Sequence, residues 1–138
     1  MDNLMTATWA GGLRFVHRSA SGHALVTDVP EDKGGGGTAP TPMELVILGL
    51  IGCTGVDVVS ILHKMKQPLE SCEISAEHER AGEHPRVFTK IRVIYTLRGD
   101  LDGKKVRRAV ELSEHTYCSV SAMLRGSVAI TSEVRINP

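Results

Sequence analysis

The chain has 138 residues, 41 % of them apolar, which suits one globular domain with one core and excludes a disordered chain. Sixteen basic residues balance sixteen acidic ones, so no excess of positive charge is available for nucleic acid or for an anionic membrane. Five aromatic residues leave few rings for stacking bases or sugars, and three cysteines, an odd count, do not suit a secreted disulfide framework.

Taken in order, the chain opens without a basic stretch leading into an apolar one, so no signal peptide is expected and a cytoplasmic setting with reduced thiols follows. Residues 6–9, 13–16 and 24–29 are short apolar runs, separated by Gly11-Gly12 and by residues 19–22, and they predict a strand meander. Residues 31–42 lose their apolar content. The four glycines at 34–37 read there as a flexible loop, because no Gly-Lys-Ser/Thr follows to make a phosphate loop.

Thr41 is a fair N-cap and Pro42 a fit first residue for a helix running to about Lys66, with Lys64 and Lys66 at its negative end and Pro68 beyond. Residues 45–62 hold 18 residues with a single charge, Asp57. That length touches the lower limit of a membrane span, but Asp57, three glycines, Thr54 and Ser60 favour a core helix covered on every side. Gly49, Gly52 and Gly55 each cost about 1 kcal/mol against Ala, so they predict close approach by another backbone, from a second chain.

Residues 70–80 and 87–97 alternate and predict a hairpin of long strands. Ile74 and Ala76 share a face of the first. Val87, Thr89, Ile91, Val93, Tyr95 and Leu97 share a face of the second. Asp102 caps a helix over residues 104–117. A short helix follows from Cys118 or Ser119 to Arg125, and residues 128–136 finish as a strand with an irregularity near Ser132. The order is α+β within one domain, residues 1–138.

Cys53, Asp57, Ser60 and Lys64 fall at i, i+4, i+7 and i+11, the one polar stripe on the long helix. Cys53 is either a small buried hydrophobe or part of a functional polar stripe, and Asp57 nearby would raise its pKa and make it a sluggish nucleophile unless a cation stands beside it. Cys118, at the junction of two helices, feels a positive dipole end and is by local sequence the better thiolate candidate. Cys72 reads as structural. No metal site is expected, since the cysteines form no C-x-x-C array and His78 and His84 read as solvated.

Thr41-Pro42-Met43-Glu44-Leu45 through Gly52-Cys53-Thr54, with Tyr117-Cys118-Ser119-Val120-Ser121 placing a second cysteine 65 residues after the first, resembles the OsmC/Ohr family. Gly52-Cys53-Thr54-Gly55-Val56-Asp57-Val58-Val59 and His84-Pro85-Arg86-Val87-Phe88 point to its YhfA-like branch. The resemblance implies an OsmC-like fold: antiparallel sheets around a long central helix, in an intertwined homodimer. It also implies a thiol peroxidase for organic hydroperoxides, with no cofactor and no metal. In that scheme Cys53 attacks the peroxide, Cys118 resolves it as a disulfide, and an external dithiol restores both. Glu44 and Arg14 are the nearest counterparts of the family's Glu and Arg. Glu44 lies nine residues from Cys53, about 180° around a helix, so it would act through a bend or from the other subunit. Two rival readings keep the same residues: a non-enzymatic dimeric module holding an apolar ligand, and a redox sensor that forms the disulfide without turnover.

Overall fold

Short alternating runs divided by glycine turns build the first sheet. In the computed structural model, which describes residues 3–138, β1 (Thr6–Trp9), β2 (Phe15–Arg18) and β3 (Ala24–Thr27) pair antiparallel in that order. Gly11 and Gly12 take φ of +92° and +58° in the first turn, where Trp9 Nε1 donates to the Gly12 carbonyl at 2.8 Å. The meander expected from the sequence is therefore present. By contacts the chain divides into two compact units, Met1–Ile47 and Leu48–Pro138.

In the first unit the glycine segment is not the free loop expected. Asp28 is buried, and its carboxylate accepts from the backbone N–H of Val29 at 2.7 Å, Gly36 at 3.3 Å and Thr38 at 3.0 Å. The Thr38 hydroxyl donates as well, at 2.5 Å. A buried carboxylate needs such donors, and the glycines supply backbone that can wrap around it. Gly35 is fixed for another reason: a Cβ there would overlap the Val29 carbonyl.

The Thr38 hydroxyl, then the Val29 and Thr38 N–H groups, hold the Asp28 carboxyl well below the usual carboxylate range. Its stabilisation is therefore complete above the unfolded pKa of about 3.9 and is lost as pH falls below that. Asp28→Asn is expected to lower the melting temperature at pH 7, with a smaller gap from the parent at pH 3. Thermal unfolding at the two pH values measures it, and a gap independent of pH would refute the role given to the carboxylate.

α1 (Pro42–Lys64) starts in the first unit and runs into the second. Thr41 Oγ1 accepts the Glu44 N–H at 3.1 Å, while Glu44 Oε1 accepts the Thr41 N–H at 2.9 Å, a reciprocal capping box. The sequence reading found the cap but not this use of Glu44.

The second unit is built on β4 (Leu69–Arg80), β5 (Phe88–Gly99) and β6 (Ala129–Ile136), in that order across the sheet. β4 and β5 form the expected antiparallel hairpin, but β6 joins β5 in parallel, so this sheet is mixed rather than wholly antiparallel. A chain leaving one end of β5 through helices returns to the opposite end, and parallel pairing follows. No irregularity breaks the register at Ser132, which faces Val93 in an unbroken ladder. A shift at Glu79/Arg80 exchanges faces at the start of β5: Phe88 is buried, whereas Val87 and Thr89 are exposed. The expected buried face holds from Ile91 through Val93 and Tyr95 to Leu97.

Leu50, Thr54, Val58 and Leu62, spaced four apart on α1, are buried in the second unit. Gly55 lets the helix close on the sheet, since a Cβ there would come 3.0 Å from Ile74 Cδ1. Within the single chain the opposite side is open. Leu48 is 49 % exposed and Val56 70 % exposed, and a Cβ on Gly49 or Gly52 would meet nothing within 4 Å. α1 is long and apolar enough to cross a membrane by length and composition alone. Its buried stripe makes it a packed helix instead.

Candidate functional site

α2 (Gly103–Leu112) is capped by Asp102, whose carboxylate accepts the Lys104 N–H at 2.9 Å. It stops five residues short of the expected end. Ser113–Tyr117 form a wider turn in which the Cys118 N–H reaches back to the Ser113 carbonyl at 2.7 Å. Such widened turns shift a side chain relative to a regular helix. This one sets Cys118, in extended backbone, at the N-cap of α3 (Ser119–Leu124). Cys118 is only 3 % exposed, and its Sγ accepts the Ser121 N–H at 3.3 Å.

Cys53 lies in the middle of α1, half-buried, with Asp57 one turn on. The Sγ atoms of Cys53 and Cys118 and a carboxylate oxygen of Asp57 all lie within 4.8 Å of one another. Two sulfurs remote in sequence thus meet, with both thiols free. Asp57 Oδ2 in turn accepts the Ser113 hydroxyl at 2.9 Å.

The electrostatics of the Cys53 thiol are mixed. The Val120 N–H pulls its pKa down most strongly, but burial and the adjoining Cys118 sulfur outweigh it, and the thiol ends above its ordinary value. The sequence reading had the direction but blamed Asp57. Cys72, half-buried in β4 opposite Leu97, is pushed up by burial alone.

Sequence reasoning missed the polar network behind the pair. Thr54 Oγ1 lies 2.8 Å from both Ser113 Oγ and Tyr95 Oη, and Tyr95 donates to Glu114 Oε1 at 2.8 Å. Ser132 donates to Glu114 Oε2 at 3.3 Å, so hydroxyls and carboxylates link Asp57 continuously to an exposed position on β6. Among apolar neighbours these groups must satisfy one another, and burial raises the Tyr95 phenol well above its usual range. No spacing rule connects residues 54, 95 and 113, which come from three separate elements.

The other two candidates lie in the first unit. Arg14 closes the β1–β2 turn, its N–H donating to the Gly11 carbonyl at 3.0 Å. Glu44 serves the capping box already described. The structure therefore brings Cys53 and Cys118 together, adds Asp57, and gives Arg14 and Glu44 local positions of their own.

Comparison with known proteins bears on the family and the fold. The family described as OsmC-like protein matches residues 34–133. Protein YhfA of Escherichia coli K12 is 43 % identical over 129 residues, which cover 93 % of each chain. Among solved structures, a hypothetical protein from Aquifex aeolicus superimposes with a TM-score of 0.82 at 28 % identity, over 99 % of this chain and 98 % of that one. An organic hydroperoxide resistance protein OsmC from Legionella pneumophila gives a TM-score of 0.70 at 21 % identity, over 96 % of each chain, a likeness of fold.

Proposed function

Because the chain belongs to the OsmC-like family and unites two free cysteines, we propose that it is a cytoplasmic thiol peroxidase that reduces organic hydroperoxides. The observation that carries this reading is the meeting of the Cys53 and Cys118 sulfurs within 4.8 Å. The Cys53 thiolate attacks the distal peroxide oxygen, the O–O bond breaks, and the alkoxide takes a proton and leaves as alcohol. The resulting sulfenic acid condenses with the Cys118 thiol, losing water and forming a disulfide. An external dithiol then returns both sulfurs to thiols by exchange, ending as a disulfide itself.

By resemblance Arg14 is the counterpart of the family's thiolate-favouring arginine, and Glu44 acts from a second copy of the chain. The active form is a homodimer in which the open side of α1 is covered by its partner; the exposed Leu48 and Val56 support this. The raised thiol pKa of Cys53 favours a second reading, a redox sensor that forms the same disulfide once per oxidation.

One equivalent of cumene hydroperoxide added to the reduced protein tests the pair directly. Peptide mapping is expected to find a Cys53–Cys118 linkage, with Cys72 still reduced. Unchanged thiol counts would overturn both readings. Steady-state consumption of peroxide in the presence of a dithiol separates enzyme from sensor.

A further inference from the structure

Tetrahedral zinc takes sulfur at about 2.3 Å and carboxylate oxygen at about 2.0 Å, so the ligand atoms of one ion stand about 3.5 to 3.8 Å apart. The Cys53 and Cys118 sulfurs and an Asp57 oxygen already lie within 4.8 Å of one another. They need to close by about 1.0 to 1.3 Å at most, which side-chain rotation supplies.

The trio is also held in place. Cys53 and Asp57 stand at i, i+4 on one rigid helix, the spacing by which a helix offers two ligands to one ion. The Ser113 hydroxyl fixes one Asp57 oxygen at 2.9 Å, and the Ser121 N–H fixes the Cys118 sulfur at 3.3 Å. Outer contacts of this kind orient metal ligands. Among the described residues, no lysine, arginine or histidine forms an ion pair with Asp57. A half-buried carboxylate without a cationic partner, beside two thiols, is an arrangement that a bound cation completes. A groove lined by Asp57, Ser60, Lys64, Leu112 and Tyr117 opens beside the carboxylate, with Lys64 in its wall but not paired to Asp57.

We propose that reduced Cys53 and Cys118 form, with Asp57, a three-ligand site for zinc, leaving a fourth position to water, and that the bound ion withholds the pair from oxidation. The binding itself needs only this geometry; the withholding rests on the disulfide reading above. Oxidation of the occupied site balances as follows. Two zinc-bound thiolates and one hydroperoxide, with two protons, give the disulfide, the alcohol, water and a released zinc ion. The sulfurs supply the two electrons and the O–O bond accepts them.

Anaerobic titration of the reduced protein with Co2+ is the test, with no peroxide present, so that its outcome is independent of the redox reading. One Co2+ per chain is expected, with a sulfur-to-cobalt charge-transfer band that Zn2+ displaces. Cys53→Ser or Cys118→Ser should abolish the band. Asp57→Asn, which keeps an acceptor for Ser113, should weaken Zn2+ binding by about tenfold or more, and Cys72→Ser should change nothing. Zinc-loaded protein should then react with a thiol reagent about tenfold or more slowly than the chelator-treated form. Absence of the band in parent protein that melts normally overturns the site. So does undiminished affinity in Asp57→Asn, or loss of the band in Cys72→Ser.

Discussion

Cys53→Ser is expected to reduce cumene hydroperoxide consumption to the buffer rate, while Cys118→Ser still undergoes a single oxidation. The asymmetry follows from the chemistry assigned to each sulfur. Without Cys53 no group attacks the peroxide. Without Cys118 the attack occurs, but the sulfenic acid on Cys53 has no partner, so it accumulates and a sulfenic-acid trap labels it in stoichiometric amount. The order of reactivity also has a pH signature. Because burial and the neighbouring sulfur hold the Cys53 thiol above its ordinary value, the thiolate is the minor form near neutrality. Its population grows about tenfold per pH unit below the pKa. Cys118→Ser removes the neighbouring sulfur but leaves the burial, so its single-turnover rate should still climb from pH 6 to pH 8. Arg14→Gln should lower that rate if the arginine supplies the stabilising charge. Trap labelling of Cys118→Ser that survives a further Cys53→Ser substitution would assign the attack to a different sulfur.

Much of this site was readable before any coordinates, and the reasons differ by residue. Helical period placed Cys53 and Asp57 on one side of α1, and a helix junction marked Cys118 as a cap; both are local properties of the chain. That the two sulfurs meet came only through family resemblance, because no periodicity measures a distance across 65 residues. The Thr54, Tyr95 and Ser113 network was invisible for the same reason, since its members come from α1, β5 and the turn after α2. Alternation announced β6 as a strand but carried no direction, so its parallel pairing was not foreseen. Four glycines in a row looked like slack. What orders them lies outside the glycine run: the Asp28 carboxylate takes the Gly36 N–H, and the carbonyls of Glu31, Pro30 and Val29 take those of Gly34, Gly35 and Gly37.

Val56→Asp is expected to convert a dimer into monomers, raising the dissociation constant by about 1,000-fold. Val56 is the most exposed large apolar residue on α1, at 70 %, and Leu48 and Gly52 lie on the same side at intervals of four residues. Burying a valine against a partner is worth about 1.5 to 3 kcal/mol, and an unpaired carboxylate in the same place adds a desolvation penalty. Together these come to about 4 kcal/mol, which sets the fold-change. Within one chain the substitution merely adds charge to an open surface, so the monomer should remain folded. Gly52→Ala supplies the complementary sign. A Cβ there meets nothing within 4 Å in the chain itself, and Ala exceeds Gly in helix propensity by about 1 kcal/mol. An uncovered helix would therefore become more stable, whereas a helix pressed against a second backbone would lose association. Light scattering on size-separated protein, read beside thermal unfolding of each variant, distinguishes the two. A Val56→Asp protein with the parent's molar mass would place the partner's contact elsewhere than on this side of α1.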